Sequence, residues 1–188
     1  MNEDFNNAVK IKNLFIEKML KVGGIAVDAT AGNGYDSLLL SNRVGEQGKV
    51  FAFDIQEAAI TNTLSLLECN ARHENFSLIC DSHTRFNEYI NVPVDMFVYN
   101  LGYLPGGDKS KTTVAENTMV SIKSAMSLLK AGGSLLIVCY PGHESGCREE
   151  ESIRSFSNEL KQRKWSVLRS EFTNQVKNPP VFYFIQKR

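Results

Sequence analysis

The sequence lacks the features that mark several common classes of protein. No apolar run is long enough to span a membrane, and the first residues are polar and acidic, unlike a secretory signal. Basic and acidic residues balance at 21 each, so the overall charge does not indicate a nucleic-acid-binding protein, although it does not exclude one. The four cysteines include no Cys-x-x-Cys pair, and we expect reduced thiols. These absences predict a cytoplasmic protein with no membrane contact.

The chain also lacks internal repeats, low-complexity segments and any break in composition. With 188 residues, 43% of them hydrophobic, it is long enough for one well-buried core and hardly long enough for two. We therefore expect a single domain over residues 1–188, in which residues 1–24 form an N-terminal helix that packs on the rest. Residues 161–188 contain seven basic residues and one acid, which predicts either a local basic face that attracts phosphates or an ordinary solvated surface.

Short apolar, β-leaning segments alternate with segments that place apolar residues at helical spacing. The spacing predicts helices over 7–20, 35–43, 57–72, 114–130 and 149–162. Strands are predicted over 25–30, 49–54, 75–81, 95–100 and 134–140, followed by 165–172 and 181–186 with no helix between the last two. Alternation implies right-handed crossovers and a parallel sheet, whereas two consecutive strands suggest an antiparallel hairpin at one edge. The predicted fold is an α/β domain with three α/β/α layers.

One glycine-containing loop, in Val27-Asp-Ala-Thr-Ala-Gly-Asn-Gly-Tyr-Asp36, joins the first strand to the next helix. Gly32 and Gly34 can take positive φ and let the backbone approach a ligand, and the helix N-terminus that follows offers N–H donors. A P-loop is excluded because no Gly-Lys-Ser or Gly-Lys-Thr follows. A dinucleotide site fits poorly because the third glycine of that motif is missing. By itself, the loop is more typical of an ordinary strand-to-helix turn.

Polar residues end four of the predicted strands, namely Asp28, Asp54, Asp81 and Asn100. Ligands of open parallel sheets bind beyond the carboxyl ends of the strands, so these side chains predict one polar crevice. A carboxylate that ends the second strand can accept from both hydroxyls of a ribose, which assigns Asp54 to that role. Asp81 and Ser82 would then lie near an adenine amino group. The alternative for each acid alone is a helix cap.

This order of motifs resembles that of the class I S-adenosyl-L-methionine-dependent methyltransferases, which have a Rossmann-like sheet. More narrowly, the glycine loop together with Asn100-Leu-Gly-Tyr-Leu-Pro-Gly-Gly-Asp108 and Tyr140-Pro-Gly-His-Glu-Ser-Gly-Cys-Arg-Glu149 resembles the small bacterial "putative rRNA methylase" family, over essentially the whole chain. Members of that family methylate the aminomethyl group of 5-aminomethyl-2-thiouridine at the tRNA wobble position. The resemblance implies S-adenosyl-L-methionine as cofactor and tRNA, at its anticodon loop, as substrate. A homodimer would widen the basic surface offered to the tRNA.

The same resemblance implies a set of site residues. The cofactor would be bound by the glycine loop and the strand ends, through Asp28, Thr30, Gly32, Asn33, Gly34, Asp36, Asp54, Gln56, Asp81, Ser82, His83, Asn100, Leu101 and Gly102. The reaction would be served, without a metal ion, by Asn100, Tyr103, Asp108 and His143.

Methylation of an amine makes two demands on those four residues. The nucleophile must be aligned with the methyl group, and an alkylammonium must first lose a proton. Asn100 would orient the amine through its side-chain carbonyl, and Tyr103 would pack against the cofactor or the base. Asp108 and His143 are the candidates to accept or relay the proton, while Glu144 would pair with the substrate ammonium or orient His143.

Two departures from the superfamily leave alternatives open. Ala31 and Tyr35 flank the two glycines, so the donor set of the loop is undecided, and Asn100-Leu-Gly-Tyr103 resembles the Asn-Pro-Pro-Tyr of amino-group methyltransferases without its prolines. Because the cofactor half does not specify the acceptor, an rRNA or a small-molecule methyltransferase is the second hypothesis. The third is a non-catalytic nucleotide-binding module, which would have no need of the acceptor loop 100–108.

Overall fold

Seven strands form one mixed sheet in the computed structural model of the chain, which describes residues 7–102, 113–176 and 178–188. The strands are β1 (Ile25–Asp28), β2 (Lys49–Asp54), β3 (Phe76–Cys80), β4 (Val94–Leu101), β5 (Leu129–Cys139), β6 (Trp165–Ser170) and β7 (Val181–Lys187). Their order across the sheet is β3-β2-β1-β4-β5-β7-β6. Strands β1 to β5 are parallel, and β7 pairs antiparallel with both β5 and β6.

Helices cover both faces of this sheet. The described helices are α1 (Ala8–Met19), α2 (Tyr35–Val44), α3 (Glu57–Asn70), α4 (Phe86–Tyr89), α5 (Ala115–Leu128) and α6 (Glu144–Glu159). Strand β4 is buried on both sides: Met96 and Val98 join one core with α1 and α2, whereas Phe97 and Tyr99 join the other with α5 and α6. The three-layer, mostly parallel sheet with an antiparallel C-terminal hairpin is therefore confirmed.

The start of one helix and the presence of another differ from the sequence prediction. Helix α6 begins at Glu144 rather than at 149, because the His143 side chain accepts a hydrogen bond from the backbone N–H of Gly146 at 3.1 Å and so caps the helix. Helix α4 follows β3, where no helix was predicted, since four residues are too few to show a helical period. It is held by Phe86, whose buried ring lies 4.9 Å from that of Phe53.

The winding of the sheet reverses between β1 and β4, and the crevice that holds ligands in such sheets lies beyond the carboxyl ends of these strands. Three of the basic C-terminal residues, Lys164, Lys187 and Arg188, lie at the other end of the sheet. Lys187 Nζ donates to the carbonyl of Leu129, where β5 begins, and the backbone N–H of Arg188 donates to the carbonyl of Lys164. β5 runs alongside Val94–Leu101 of β4, whose length, on the order of 25 Å, separates Lys187 from that crevice. Across the described residues, none of the helices combines the length and the apolar character needed to cross a membrane.

Candidate active site

A cavity of about 930 Å³ opens at the carboxyl ends of β1, β2, β3 and β4. Its volume lies within the range of sites for small ligands and cofactors. Most of the residues predicted from the sequence line it: Thr30, Gly32, Asn33, Asp36, Asp54, Gln56, Asp81, Ser82, His83, Asn100, Gly102 and His143. Tyr103 and Asp108 lie outside the described residues. The residues on either side of that segment are joined, because the backbone N–H of Thr113 donates to the carbonyl of Gly102 at 3.2 Å.

Three of the predicted residues, Asp28, Gly34 and Leu101, do not line the cavity. Asp28 is fully buried, and its carboxylate accepts from the hydroxyl of Ser37 at 2.7 Å and from the backbone N–H of Thr30 at 3.2 Å. Leu101 is buried in the core, and Gly34 packs against α3. Of the four strand-end side chains expected in one crevice, Asp54, Asp81 and Asn100 line it, whereas Asp28 does not.

The register of the sheet explains the position of Asp28. Asp28 pairs with Val98 of β4 and with Ala52 of β2, so it lies two residues below the level of Asn100 and Asp54. Thr30 occupies that level instead, and its hydroxyl accepts from the backbone N–H of Asn100 at 2.8 Å. Sequence segments that end in an acid do not reveal this offset, because pairing register is a tertiary property.

The glycine loop is attached directly to the acid that ends β2. The backbone N–H of Gly32 donates to Asp54 at 3.0 Å, and the hydroxyl of Thr63 donates to the carbonyl of Gly32 at 3.2 Å. Gly32 and Gly34 have φ of 55° and 84°, in the region that favours glycine, and a Cβ on Gly34 would lie 2.9 Å from the Cα of Thr63. The backbone N–H of Gln56 donates to the other oxygen of Asp54 at 3.0 Å. Each oxygen of Asp54 keeps accepting capacity at the cavity wall.

Asp81 is held by three protein donors. The phenol of Tyr89 and the guanidinium of Arg85 each donate to it at 2.6 Å, and the backbone N–H of Ser82 donates at 2.7 Å. The hydrogen bond from Tyr89, followed by that from Ser82, lowers the pKa of the Asp81 carboxyl. Asp81 is thus an ionised acceptor at the cavity edge.

His83 follows at the start of a 3₁₀ turn, His83–Arg85, which is capped by the side chain of Ser82. Its ring lies edge-on to that of Tyr99, with 6.1 Å between centroids. Burial lowers the pKa of His83 to about 4, so the imidazole is neutral at pH 7. Its Nδ1 is buried and has no hydrogen-bond partner among the described residues.

Asn100 belongs to a buried polar network that the sequence analysis missed. Its side-chain Nδ2 donates to Asp36, and Lys12 Nζ donates to both oxygens of Asp36. Lys12 is fully buried although it is a lysine on an amphipathic helix. Its sequence position indicated burial, since Ala8, Lys12 and Ile16 follow one another at a spacing of four and are the buried residues of α1.

Asp28 lies beside this network but does not share the hydrogen bonds that connect Lys12, Asp36 and Asn100. Burial, and secondarily the negative charge of Asp36, raise the pKa of Asp28 to about 7. The charge of Lys12 opposes that rise. Two acids and one lysine therefore share a buried region, in which Asp36 and Lys12 line the cavity and Asp28 lies behind them.

His143 lies at the cavity rim, where it caps α6. Its Nδ1 accepts from the backbone N–H of Gly146, and the hydroxyl of Ser145 lies 2.9 Å from the same atom. A neutral imidazole whose Nδ1 is an acceptor carries its proton on Nε2. The neutral side chain is therefore a donor at Nε2, a constraint that sequence position did not show.

Comparison with known proteins places the chain among the methyltransferases. The family model described as "Putative rRNA methylase" matches residues 50–186. The chain belongs to this family. A curated relative from Arabidopsis thaliana, the chloroplastic tRNA (mnm(5)s(2)U34)-methyltransferase, is 35% identical over 191 residues, which cover 96% of this chain and 69% of that protein.

Solved structures agree with membership of the rRNA methylase family. A "putative rRNA-methylase" from Clostridium thermocellum is 40% identical, covers 97% of this chain and 98% of its own, and superposes with a TM-score of 0.93. A "putative methyltransferase" from Streptococcus mutans, solved in complex with SAH, is 34% identical over 97% of this chain and 99% of its own, with a TM-score of 0.87. The protein is an S-adenosyl-L-methionine-dependent methyltransferase.

The residues of the cavity fit that cofactor. Two strand ends present carboxylates, Asp54 and Asp81, as acceptors for the hydroxyl and amino groups of an adenosine. Ile55, between Asp54 and Gln56, is exposed and offers the cavity an apolar surface. Two buried polar atoms of cavity residues, His83 Nδ1 and Asn100 Oδ1, have no partner among the described residues, as expected where a polar ligand completes a site.

Proposed function

We propose that this protein methylates the aminomethyl group of 5-aminomethyl-2-thiouridine at the wobble position of tRNA, in the cytoplasm, as a single domain over residues 1–188. The observation that carries the proposal is the Asn100 side chain at the cavity wall, whose Oδ1 is buried and lacks a partner among the described residues. An amide oxygen so placed is an acceptor for an N–H group of an amine substrate. The curated relative, which aligns with almost the whole chain, supports the choice of acceptor.

The cavity geometry supports the assignment of a cofactor half to the proposed site. Asp54 binds the ribose hydroxyls, and Asp81 with Ser82 and His83 surrounds the adenine. Asp28, Gly34 and Leu101 lie behind the cavity wall and support the residues that form it. The remaining predicted residues form the wall along the sugar and the amino-acid portion: Thr30, Gly32, Asn33, Asp36, Gln56 and Gly102. When bound, S-adenosyl-L-methionine supplies an electrophilic methyl group for in-line displacement.

The acceptor half positions the amine and handles its proton. Asn100 orients the amine through Oδ1, because its Nδ2 is committed to Asp36. His143, with Nδ1 accepting from the α6 backbone, acts in its neutral form as a donor toward the substrate. We therefore assign proton acceptance to Asp108 and packing against the base to Tyr103, both in the sequence between Gly102 and Thr113.

A tRNA anticodon loop suits a small domain of this kind, since its unstacked bases can be splayed into a pocket. Phosphate contacts would come from cations near the cavity rim, because the basic C-terminal residues Lys164, Lys187 and Arg188 lie at the opposite end of the sheet. All four cysteines of the chain are free thiols, which supports a reducing compartment.

Nucleoside mass spectrometry of tRNA from a strain that lacks the gene tests this function. We expect unmethylated 5-aminomethyl-2-thiouridine to accumulate, and expression of the wild-type protein to restore the methylated nucleoside. Expression of the Asn100→Ala variant should not restore it. An unchanged tRNA profile together with the loss of a methylated nucleoside from rRNA would reject the tRNA acceptor in favour of rRNA.

A further inference from the structure

Lys12 has no part in the proposed reaction, yet it is the fully buried cation of the site. It lines the cavity, and its ammonium is paired with Asp36, which is also buried. Removing two charges from water opposes folding, and a buried ion pair is weak evidence for stability. Conformational specificity is the better-attested role of such a pair. Asp36 also accepts a hydrogen bond from the side-chain amide of Asn100.

The chemistry of the three groups determines which way the amide faces. An ionised carboxylate only accepts hydrogen bonds, whereas an amide has one donating and one accepting side. Asp36 therefore accepts from Nδ2 of Asn100, and Oδ1 faces the other way. The backbone N–H of Asn100 is fixed by Thr30 at 2.8 Å, so rotation of the side-chain amide is the remaining freedom.

A proton on Asp36 would remove this preference for one orientation of the Asn100 amide, because a carboxylic acid also donates hydrogen bonds. The O–H of Asp36 could then donate to Oδ1 of Asn100. Nδ2 would face the substrate amine instead, so that two donors would face each other. The groups that face Asp36 are Lys12 from α1, Asp28 from β1, Asn100 from β4 and Tyr140 after β5. Of these, Lys12 is the cation, and its charge opposes the rise in the pKa of Asp28.

We infer that Lys12 is a positioning residue: its ion pair keeps Asp36 a pure acceptor, which turns the Asn100 amide so that Oδ1 is available to the substrate amine. The identity of that amine rests on the proposed function, whereas the orientation of the amide does not. Lys12 therefore acts on the reaction through Asp36 and Asn100, without contact with the reacting atoms.

The kinetic test compares Lys12→Met with Lys18→Met, which removes the same charge from an exposed position on the same helix. We expect Lys12→Met to lower kcat for the tRNA substrate by about 10-fold to 100-fold, the loss expected for one charge-assisted hydrogen bond, with the KM for S-adenosyl-L-methionine unchanged. Lys18→Met should match the wild type. Equal kcat values for Lys12→Met and the wild type would overturn the inference.

A double-mutant cycle separates positioning from a general structural effect. In the Asn100→Ala background, Lys12→Met should cause no further loss of single-turnover rate, because the amide it orients is gone. Multiplicative losses would contradict the inference. Should Lys12→Met fold poorly, the Lys12→Met/Asp36→Asn variant removes both charges with little change in volume, and it should show the same fall in kcat.

An acceptor-independent measurement keeps this inference distinct from the proposed function. The side-chain amide resonances of Asn100, assigned by their absence in Asn100→Ala, should show slow hydrogen exchange in the wild type and in Lys18→Met. Exchange should be about 10-fold faster or more in the double variant, which lacks the charge-assisted bond. Inactivity of the wild type on the tRNA would reject the proposed function alone, whereas unchanged amide exchange in the double variant would reject the role of Lys12.

Discussion

The backbone N–H of Gly32 donates to the carboxylate of Asp54 at 3.0 Å, so the glycine loop and the acid that ends β2 form one unit. The two residues are 22 positions apart in the chain, Gly32 in the loop after β1 and Asp54 at the end of β2. This contact orders the loop before any ligand arrives and directs the remaining lone pairs of Asp54 to the cavity. Preorganisation of this kind lowers the ordering cost of binding.

Replacement of Asp54 by alanine should therefore weaken cofactor binding in two ways. It removes an acceptor for the ribose and releases Gly32, and we expect the Kd for S-adenosyl-L-methionine to rise by about 10-fold to 100-fold. Isothermal calorimetry measures the change, with Glu46→Ala as a control at an exposed acid. Equal affinities of Asp54→Ala and the wild type would show that Asp54 is not a cofactor ligand.

Gly34 should tolerate no side chain. Both Gly34 and Gly132 have positive φ, of 84° and 79°, but a Cβ on Gly132 meets nothing within 4 Å, whereas one on Gly34 meets the Cα of Thr63 at 2.9 Å. Gly132→Ala should lower the free energy of unfolding by roughly 1–2 kcal/mol from backbone strain alone. Gly34→Ala should cost about 1–3 kcal/mol more from the clash. Urea denaturation compares the two, and similar losses would refute the packing account.

Asp28 should make stability depend on pH in the direction opposite to most acids. Its pKa is raised from 3.8 to about 7, so between those values the folded protein holds a proton that the unfolded chain releases. Its contribution to stability is complete below about pH 4 and is lost as the pH rises to about 7. His83 acts the other way, because its pKa is lowered to about 4 and stability falls as the pH drops from 6.5 toward that value.

The variant Asp28→Asn isolates the first of these effects. Asp28→Asn removes a contribution to stability that declines as the pH rises. The free energy of unfolding of the variant, relative to that of the wild type, should therefore rise between pH 5 and pH 7.5 by up to a few kcal/mol, since one pKa unit corresponds to about 1.4 kcal/mol. Chemical denaturation at both pH values provides the measurement. A difference that stays constant with pH would mean that Asp28 is already ionised at pH 5.

His143 combines two roles that substitution can separate. Asparagine can replace it as the helix cap, whereas alanine cannot, so His143→Ala should lose about 1 kcal/mol of stability and His143→Asn should lose little. Both variants lose the Nε2–H donor, and we expect both to lower kcat by about 10-fold or more. Thermal unfolding and methylation assays distinguish the roles. Wild-type activity in His143→Asn would show that His143 serves only as the N-cap of α6.

Most of the fold could be predicted from local patterns. The run in β4, with Met96 and Val98 in one core and Phe97 and Tyr99 in the other, is apolar on both faces, which is typical of a central parallel strand. Consecutive strands β6 and β7 without a helix between them predicted the antiparallel edge. The start of α6 could not be predicted, since it depends on whether His143 caps the helix or stays in the loop.

Prediction of the site was limited by burial, which local patterns do not report. Lys12 looked like one of several lysines on a solvated helix face, and only the packing of α1 against the glycine-loop helix α2 brings its ammonium to Asp36. Two aspartates at strand ends also differ in burial: Asp54 lines the cavity, whereas Asp28 is buried behind it.

The sequence by itself determined the order of the elements, the glycines that the first turn requires and the polar groups that end the strands, because each of these depends on neighbouring residues alone. The tertiary structure decided which of those groups meet. Strand register places Thr30, not Asp28, level with Asn100 and Asp54, and helix packing buries Lys12 beside Asp36. Both depend on contacts between residues far apart in the chain, where side-chain direction and depth are set by the whole sheet.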